Sequence, residues 1–157
     1  DFEDETFDLV FCDHALCFVK EQEKAVRELI RVLKKNYPLI ISSQNRYVLS
    51  LLLVPENIDL AYAVLLNETH FIMRKALEVY TLSPDEFKQM LEKNGIRIEK
   101  IVGKIYTMPL ALPIKKWSSE RYSEKLVEKI LNIEFNLINE PDTASLGAHI
   151  QAIGYKT

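Results

Sequence analysis

The sequence predicts an α/β fold in which apolar strands alternate with amphipathic helices, as in the later half of a doubly wound sheet. Three observations predict it. Residues 7–12 (FDLVFC) are strand-forming and apolar, and a helical pattern and a second apolar run from Pro38 follow. A helix-start signal at 83–86 (SPDE) precedes another strand. The chain closes on an alternating strand at 148–155.

The first predicted strand, 7–12, is continuously apolar, which is typical of a strand covered on both faces of a parallel sheet. Residues 22–35 are predicted to be a helix, because apolar residues recur at helical spacing and Lys34 and Lys35 complement the dipole in its last turn. The next strand is predicted at 38–42.

Ser83 is predicted to cap a helix with Pro84 at its first position and Glu86 completing a capping box. That helix is expected to end at Asn94-Gly95, and a strand at 96–102 follows. These elements give one partial domain with a core of 1–44, 83–102 and 146–157.

Two segments interrupt this core, and we read them as insertions at 45–82 and 103–145. The first is predicted to be largely helical. The second is predicted to hold a proline-bounded loop at 108–113, an anchoring Trp117 and a helix at 119–137. The apolar face expected for that helix is Leu126, Val127, Ile130, Leu131 and Ile133. Both insertions either cover a ligand or add helices to the core.

Composition excludes several classes of protein. The 157 residues suit one domain or a large part of one, and the net charge of -3 disfavours nucleic-acid binding. The longest apolar run is too short for a membrane span. Cys12 and Cys17 fit neither a disulfide nor a zinc site, so we expect free thiols, a cytoplasmic location and no metal.

Several motifs appear in an ordered series. Phe-x-Asp-x-x-Phe-Asp-x-Val spans 2–10, Glu-Leu-Ile-Arg-Val-Leu-Lys spans 28–34, and Leu-Gly-Ala-His-Ile spans 146–150. Together they resemble the C-terminal half of class I S-adenosylmethionine-dependent methyltransferases, of the broad kind that includes ubiquinone and menaquinone biosynthesis enzymes. The chain departs from the family pattern at Asp1, where proline is usual, and at 35–37, where turn glycines are usual.

The resemblance implies a Rossmann-like sheet in which this chain supplies strands four to seven, in the order 4, 5, 7, 6, with the last strand antiparallel. It implies S-adenosyl-L-methionine as cofactor and a small-molecule methyl acceptor. The family's glycine-rich cofactor loop would lie before Asp1, so we expect the chain by itself to be inactive.

In the family, the loop after the fourth strand runs beside the cofactor and faces the substrate, which here corresponds to Cys12, Asp13 and His14. His14 is a candidate general base or a residue that shapes the pocket. Asp13 is a candidate for orienting His14 or the substrate. Cys12 is interpreted as a pocket wall rather than a nucleophile.

Candidate acceptor-binding residues are Phe18, Asn45, Arg46, Tyr47 and His70. Phe18 otherwise packs on the following helix, and Arg46 either pairs with a substrate carboxylate or serves a helix start or the surface. The cluster at 67–70 faces the acceptor or caps a helix through Asn67 or Thr69. His149 is interpreted as structural.

The leading hypothesis is therefore the C-terminal part of a small-molecule methyltransferase. The alternative is a non-catalytic, methyltransferase-like interaction module, and a nicotinamide-dependent enzyme fits less well. In either case the strand at 7–12 is left without a neighbour on one side, so we expect homodimerisation or another pairing through this edge. The sequence does not identify the acceptor.

Overall fold

The computed structural model describes residues 2–68, 70–73, 77–107 and 123–157, and their backbone forms one mixed sheet with helices packed on it. The sheet strands are β1 (Val10–Cys12), β2 (Pro38–Asn45), β5 (Thr81–Leu82), β6 (Ile96–Lys104) and β7 (His149–Lys156). A separate hairpin pairs β3 (Phe71–Met73) with β4 (Leu77–Val79). The helices are α1 (Gln22–Val32), α2 (Arg46–Leu53), α3 (Ile58–Leu65), α4 (Pro84–Lys93) and α5 (Glu124–Asn139).

The sheet order is β1-β2-β7-β6. β1 runs parallel to β2, whereas β7 is antiparallel to both β2 and β6. This confirms the predicted order, with the last strand of the chain inserted antiparallel between its neighbours. The short β5 continues the line of β1 along β2, pairing with Gln44 and Asn45.

The turn between α1 and β2 differs from the prediction. α1 ends at Val32 rather than at Lys35, because Leu33 turns extended, its side chain is fully buried, and the Lys34 N–H donates to Phe7 O at 3.0 Å. Asn36 adopts a left-handed φ of 64°. Asparagine tolerates that conformation better than most residues, so Asn36 closes the turn between α1 and β2 without a glycine.

The helix start at Ser83 is confirmed. Ser83 Oγ accepts the Glu86 N–H at 3.2 Å, and Glu86 Oε2 accepts the Ser83 N–H at 2.9 Å. Gly95 ends the turn after α4 with a φ of 88°. The strand that follows, β6, is two residues longer than predicted and carries a bulge between Ile98 and Lys100.

The first insertion is only partly helical. α2 and α3 pack together around a small apolar cluster of Leu49, Leu53, Ala61 and Val64. The prediction of a largely helical segment is wrong for β3 and β4, which pair as antiparallel strands. Phe71, Ile72 and Val79 are strand formers whose apolar spacing over so short a run does not distinguish a strand from a helix.

The second insertion contains α5, which lies within and just beyond the predicted helix. Its predicted apolar face does not enter the core. Leu126, Val127, Leu131 and Ile133 are all between 40% and 49% exposed. The predicted loop at 108–113, Trp117 and the predicted helical residues 119–122 lie outside the described residues.

The main core lies between the sheet and the helices α1 and α4. It contains Val10, Leu16, Val26, Ile30, Leu33, Leu39, Ile41, Phe87, Leu91, Ile96, Ile150 and Ala152. No helix in the described ranges is long and apolar enough to cross a membrane.

Arg46 joins the first insertion to this core. Its side chain is 6% exposed, and its guanidinium donates to Glu86 Oε1 at 2.9 Å and also to Glu86 Oε2 and to Thr81 O. The carboxylate of Glu86 therefore both caps α4 and neutralises a buried cation. Because burial of an unpaired charge is costly, the pair depends on both partners.

We expect Glu86→Ala to lower the free energy of unfolding by about 3 kcal/mol, since it leaves the Arg46 guanidinium buried without its anion and removes half of the capping box. Urea unfolding measures this. Glu92→Ala on the same helix is the control, because it breaks an exposed pair with Lys88 that is worth under about 0.5 kcal/mol. Equal effects of the two substitutions would contradict a structural role for the buried pair.

Candidate functional site

Polar side chains from four strands meet at one edge of the sheet. This is the edge at which the parallel strands β1 and β2 end. Because β7 is antiparallel to β2, its first residue, His149, lies there too, paired with Gln44. Lys104, the last residue of β6, pairs with His149 from the other side. In open α/β sheets, ligands bind at this carboxyl edge.

Asp13 is the electrostatic centre of the group. Its Oδ1 accepts hydrogen bonds from Lys104 Nζ and from Ser42 Oγ, both at 2.6 Å. The bond from Lys104, and then the bond from Ser42, lower the pKa of Asp13 below its usual value. The carboxylate is therefore ionised at neutral pH and already has two donors.

His14 is exposed but held in place. Its backbone has a φ of 51°, and its N–H donates to Ser42 Oγ at 2.8 Å. The imidazole stacks on His149, with ring centroids 4.1 Å apart and planes 23° apart. Phe18 contacts the same imidazole edge-on, with centroids 5.5 Å apart. The structure thus brings together Asp13, His14 and Phe18 of the predicted residues.

His149, which the sequence analysis interpreted as structural, is the strand residue that stacks on His14. Burial, followed by the nearby charges of His14 and Lys104, lowers its pKa to about 4, against a smaller opposing effect of Asp13. Sequence reasoning also missed Ser42 and Lys104. The available signal was topological, because an antiparallel β7 places the end of β6 and the start of β7 beside the loop after β1.

Both cysteines are free thiols. Burial is the main cause that raises the pKa of Cys12 above its usual value, and it raises the pKa of the fully buried Cys17 to about 11. Both sulfurs are therefore protonated at neutral pH, which is consistent with Cys12 as a wall of the site rather than a nucleophile.

The three predicted residues at 45–47 contact different parts of the structure. Asn45 is fully buried, its amide donates to Ser145 O and Gly147 O at 2.8 Å each, and its Oδ1 caps α2 through the Tyr47 N–H at 3.0 Å. Arg46 is engaged by Glu86. For both residues these contacts give a structural role, and contact with an acceptor stays a prediction.

Tyr47 is exposed and lines an apolar hollow of about 270 Å³ between α2 and α3. The hollow is completed by Ser50, Leu51, Val54, Ile58, Ala61, Tyr62 and Leu65. Six of these eight residues are large apolar or aromatic side chains at least 41% exposed. An exposed concentration of this kind is typical of a binding surface.

His70 lies at the start of the hairpin. Its Nε2 is 3.4 Å from Glu78 Oε1, and its ring stacks on Tyr80 at 5.1 Å. It lines a more polar hollow of about 320 Å³ together with Lys20, Gln22, Asn67, Glu68, Tyr80, Thr81 and Leu82. The capping alternative through Asn67 fits the C-terminus of α3, because Asn67 follows the helix with a left-handed φ of 60° and its N–H donates to Val64 O at 3.1 Å; Thr69 lies outside the described residues.

Within the described ranges, no group of three or more His, Cys, Asp or Glu side chains is arranged to hold a metal ion.

Comparisons with known proteins find a similar domain and similar folds. A family model described as "Methyltransferase domain" matches residues 1–41, which include β1, the loop at 12–14 and α1. The fold is that of S-adenosylmethionine-dependent methyltransferases. No curated protein matches the chain.

Solved structures similar to this chain include S-adenosylmethionine-dependent methyltransferases from three organisms. The one from Thermotoga maritima has a TM-score of 0.57 at 21% identity, over 99% of this chain and 58% of its own. The one from Methanosarcina mazei has a TM-score of 0.58 at 15% identity, and the match covers 99% of this chain and 62% of that one. The one from Mesorhizobium loti has a TM-score of 0.55 at 10% identity, and the match covers 99% of this chain and 65% of that one. The chain thus spans less than two thirds of each of these structures.

The low pKa of His149 predicts a specific pH dependence of stability. Its pKa is about 4 in the folded protein and about 6.5 when unfolded, so between these values the unfolded state binds more protons. The free energy of unfolding should therefore fall as pH decreases from about 6.5 towards 4. By pH 5 the loss is at most about 2 kcal/mol, less where solvent screens the partly exposed ring.

Urea unfolding at pH 5 and pH 7 measures this difference in the unsubstituted chain and in His149→Gln. The substitution should reduce it. His70→Gln controls for the removal of one histidine. An equal pH difference with and without His149 would contradict the proposed origin.

Proposed function

We propose that this chain is the C-terminal part of an S-adenosylmethionine-dependent methyltransferase that acts on a small-molecule acceptor. The observation that carries the proposal is the polar cluster at the carboxyl edge of a methyltransferase-type sheet. The loop residues Asp13 and His14, Ser42 of β2, Lys104 of β6 and His149 of β7 come from four separate parts of the chain, and Ser42 is hydrogen-bonded to both Asp13 and His14. Convergence of this kind at a sheet's ligand-binding edge supports a site.

We propose that the complete protein is longer than residues 1–157. The chain's four glycines lie at 95, 103, 147 and 154, and each lies in a turn or against neighbouring backbone or side chains. A glycine-rich strand–loop–helix that lets backbone approach a cofactor would have to come from residues outside 1–157. The solved structures' greater length is consistent with this.

The loop at 12–14 fits one wall of a cofactor site. Ser42 fixes the backbone of this loop, and His14 is exposed to solvent. The charge of the Asp13 carboxylate is compensated by Lys104, so the loop presents no unpaired charge to a sulfonium. S-adenosylmethionine supplies an activated methyl group. We assign Cys12, Asp13 and His14 to its contact surface, with the remaining contacts supplied by the rest of the protein.

His14 is the proposed base. In methyl transfer, the acceptor atom forms a bond to the methyl carbon while the carbon–sulfur bond breaks, and its electron pair stays on sulfur. An O–H or N–H acceptor must also lose a proton. The imidazole of His14 takes that proton, and Asp13 holds the loop in place. Positioning supplies much of the remaining acceleration.

The acceptor side is proposed to involve Phe18, Tyr47 and His70. Phe18 contacts the ring of His14, and Tyr47 lines the apolar hollow between α2 and α3. This hollow supports an acceptor with an apolar part. A net charge of -3 and two free thiols fit a cytoplasmic enzyme of small molecules rather than a nucleic-acid-binding protein.

The proposal is tested first by cofactor binding. The coding sequence upstream of Asp1 should encode a glycine-rich strand–loop–helix, and the complete protein should bind S-adenosylmethionine with 1:1 stoichiometry in a calorimetric titration. Residues 1–157 alone should not. Acceptors are then screened by transfer of a radiolabelled methyl group. Tight 1:1 binding by residues 1–157 alone would overturn the division of the site between two halves.

The free edge of β1 gives a second consequence. Among the described residues, β1 has a strand partner on one side only, and Leu9 and Phe11 are 51% and 62% exposed. Exposed edges of this kind pair with other strands. We propose that a preceding strand covers this edge in the complete protein and that a second copy covers it in the isolated chain.

Sedimentation of residues 1–157 at low micromolar concentration should therefore reveal dimers or larger species. Phe11→Lys should shift them towards monomer, because a charge on an edge strand opposes pairing. Phe135→Lys is the matched control, since Phe135 is 61% exposed but lies on α5. A monomeric unsubstituted chain, with slowly exchanging amides at Leu9 to Phe11, would contradict the pairing.

A further inference from the structure

The backbone of His14 is held in a conformation that histidine seldom adopts. Its φ of 51° lies in the left-handed region, which is sterically unfavourable for a residue with a Cβ. The Ser42 hydroxyl offsets that cost by accepting the His14 N–H at 2.8 Å while donating to Asp13 at 2.6 Å. Strain of this kind at a ligand-binding edge is typical of a functional residue.

The ring of His14 is restrained separately from its backbone. An exposed side chain ordinarily exchanges between rotamers in nanoseconds or less. Here one face of the imidazole lies on His149 at 4.1 Å, and Phe18 meets it edge-on at 5.5 Å. These two contacts select one ring orientation without covering the side chain from solvent.

Of these two contacts, His149 is the rigid one. It is the first residue of β7 and is paired in register with Gln44 on β2 and with Lys104 on β6. Phe18, by contrast, lies in the short 3₁₀ helix at 16–18. The platform beneath His14 is therefore part of the sheet.

The charges around the pair also suit a stacking role. The titratable groups that face it are Asp13 from the loop after β1, Lys104 from β6 and the thiol of Cys17, whose Sγ lies 3.8 Å from His14 O. Ser42 and Gln44 of β2 are neutral. Asp13 and Lys104 neutralise each other, and the low pKa of His149 leaves it uncharged at neutral pH. An uncharged ring stacks on His14 without repelling the proton that His14 accepts.

We propose that His149 is a positioning residue for His14, whose imidazole it holds by ring stacking in the orientation that faces the methyl acceptor. The role of His14 towards the acceptor rests on the proposed function. The ring pair itself does not.

Proton NMR of residues 1–157 tests the ring pair. The chain has only three histidines, so their ring signals can be assigned with single substitutions. We expect a nuclear Overhauser effect between the rings of His14 and His149, and a His14 ring signal moved upfield by the ring beneath it. His149→Phe should keep the upfield shift and His149→Ala should lose it, while Gln151→Ala on the same strand should change nothing.

Activity tests the consequence. In the complete protein with an acceptor from the screen above, His149→Ala should lower kcat about 10-fold through a misplaced base, with the KM for S-adenosylmethionine unchanged. His149→Phe should keep most of the kcat of the unsubstituted protein. If His149 has only a structural role, His149→Phe and His149→Ala should instead each lose activity in proportion to their loss of stability.

Absence of the ring contact in the unsubstituted chain, or equal kcat for His149→Phe and His149→Ala, would overturn the proposal. If His149→Ala does not fold, the ring contact and the Phe variant decide. Failure of the unsubstituted complete protein to bind S-adenosylmethionine would count against the proposed function and leave the ring pair as measured.

Discussion

The antiparallel insertion of β7 between β2 and β6 is the constraint on which the site depends. It places the start of β7 and the end of β6 at the edge where β1 and β2 end. Lys104 therefore contacts Asp13, which lies 91 residues earlier in the sequence. Gly147 makes the approach sterically feasible. A Cβ at that position would lie 2.4 Å from Lys104 N, and Asn45 fixes the same segment by binding Gly147 O.

A second consequence of this topology is electrostatic. Asp13 follows β1 in an exposed loop, and its hydrogen bonds with Lys104 and Ser42 fix the position of its carboxylate and compensate its charge. The same hydroxyl of Ser42 supports the left-handed backbone of His14. One serine in the second strand thus couples the carboxylate of Asp13 to the backbone of His14, which explains why this small polar residue is fully buried.

Local chemistry was predictable from the sequence, and long-range contacts were not. The capping box at Ser83 and the turn at Gly95 follow from residues a few positions apart, so the sequence located both. The pairing of β3 with β4 was missed because each strand is three residues long, which is too short for the spacing of apolar residues to distinguish a strand from a helix. His149 was read correctly as a strand residue. Its contact with His14 requires strand order, which no local pattern contains.

Arg46 was likewise read from its position alone. At the carboxyl end of β2 a basic residue suggests a ligand for an anion, but the acid that meets it lies 40 residues later, in the first turn of α4. The pair ties α2 to the core. The other end of the insertion is tied to the loop after β1, because the Tyr80 N–H donates to Cys17 O at 2.7 Å, three residues from His14. An insertion anchored at both ends carries its two hollows in a fixed relation to the polar cluster. Its exposed side chains, such as Tyr62 and Leu65, can therefore change without moving His14, so the proposed acceptor surface and the proposed base are physically separable in this fold.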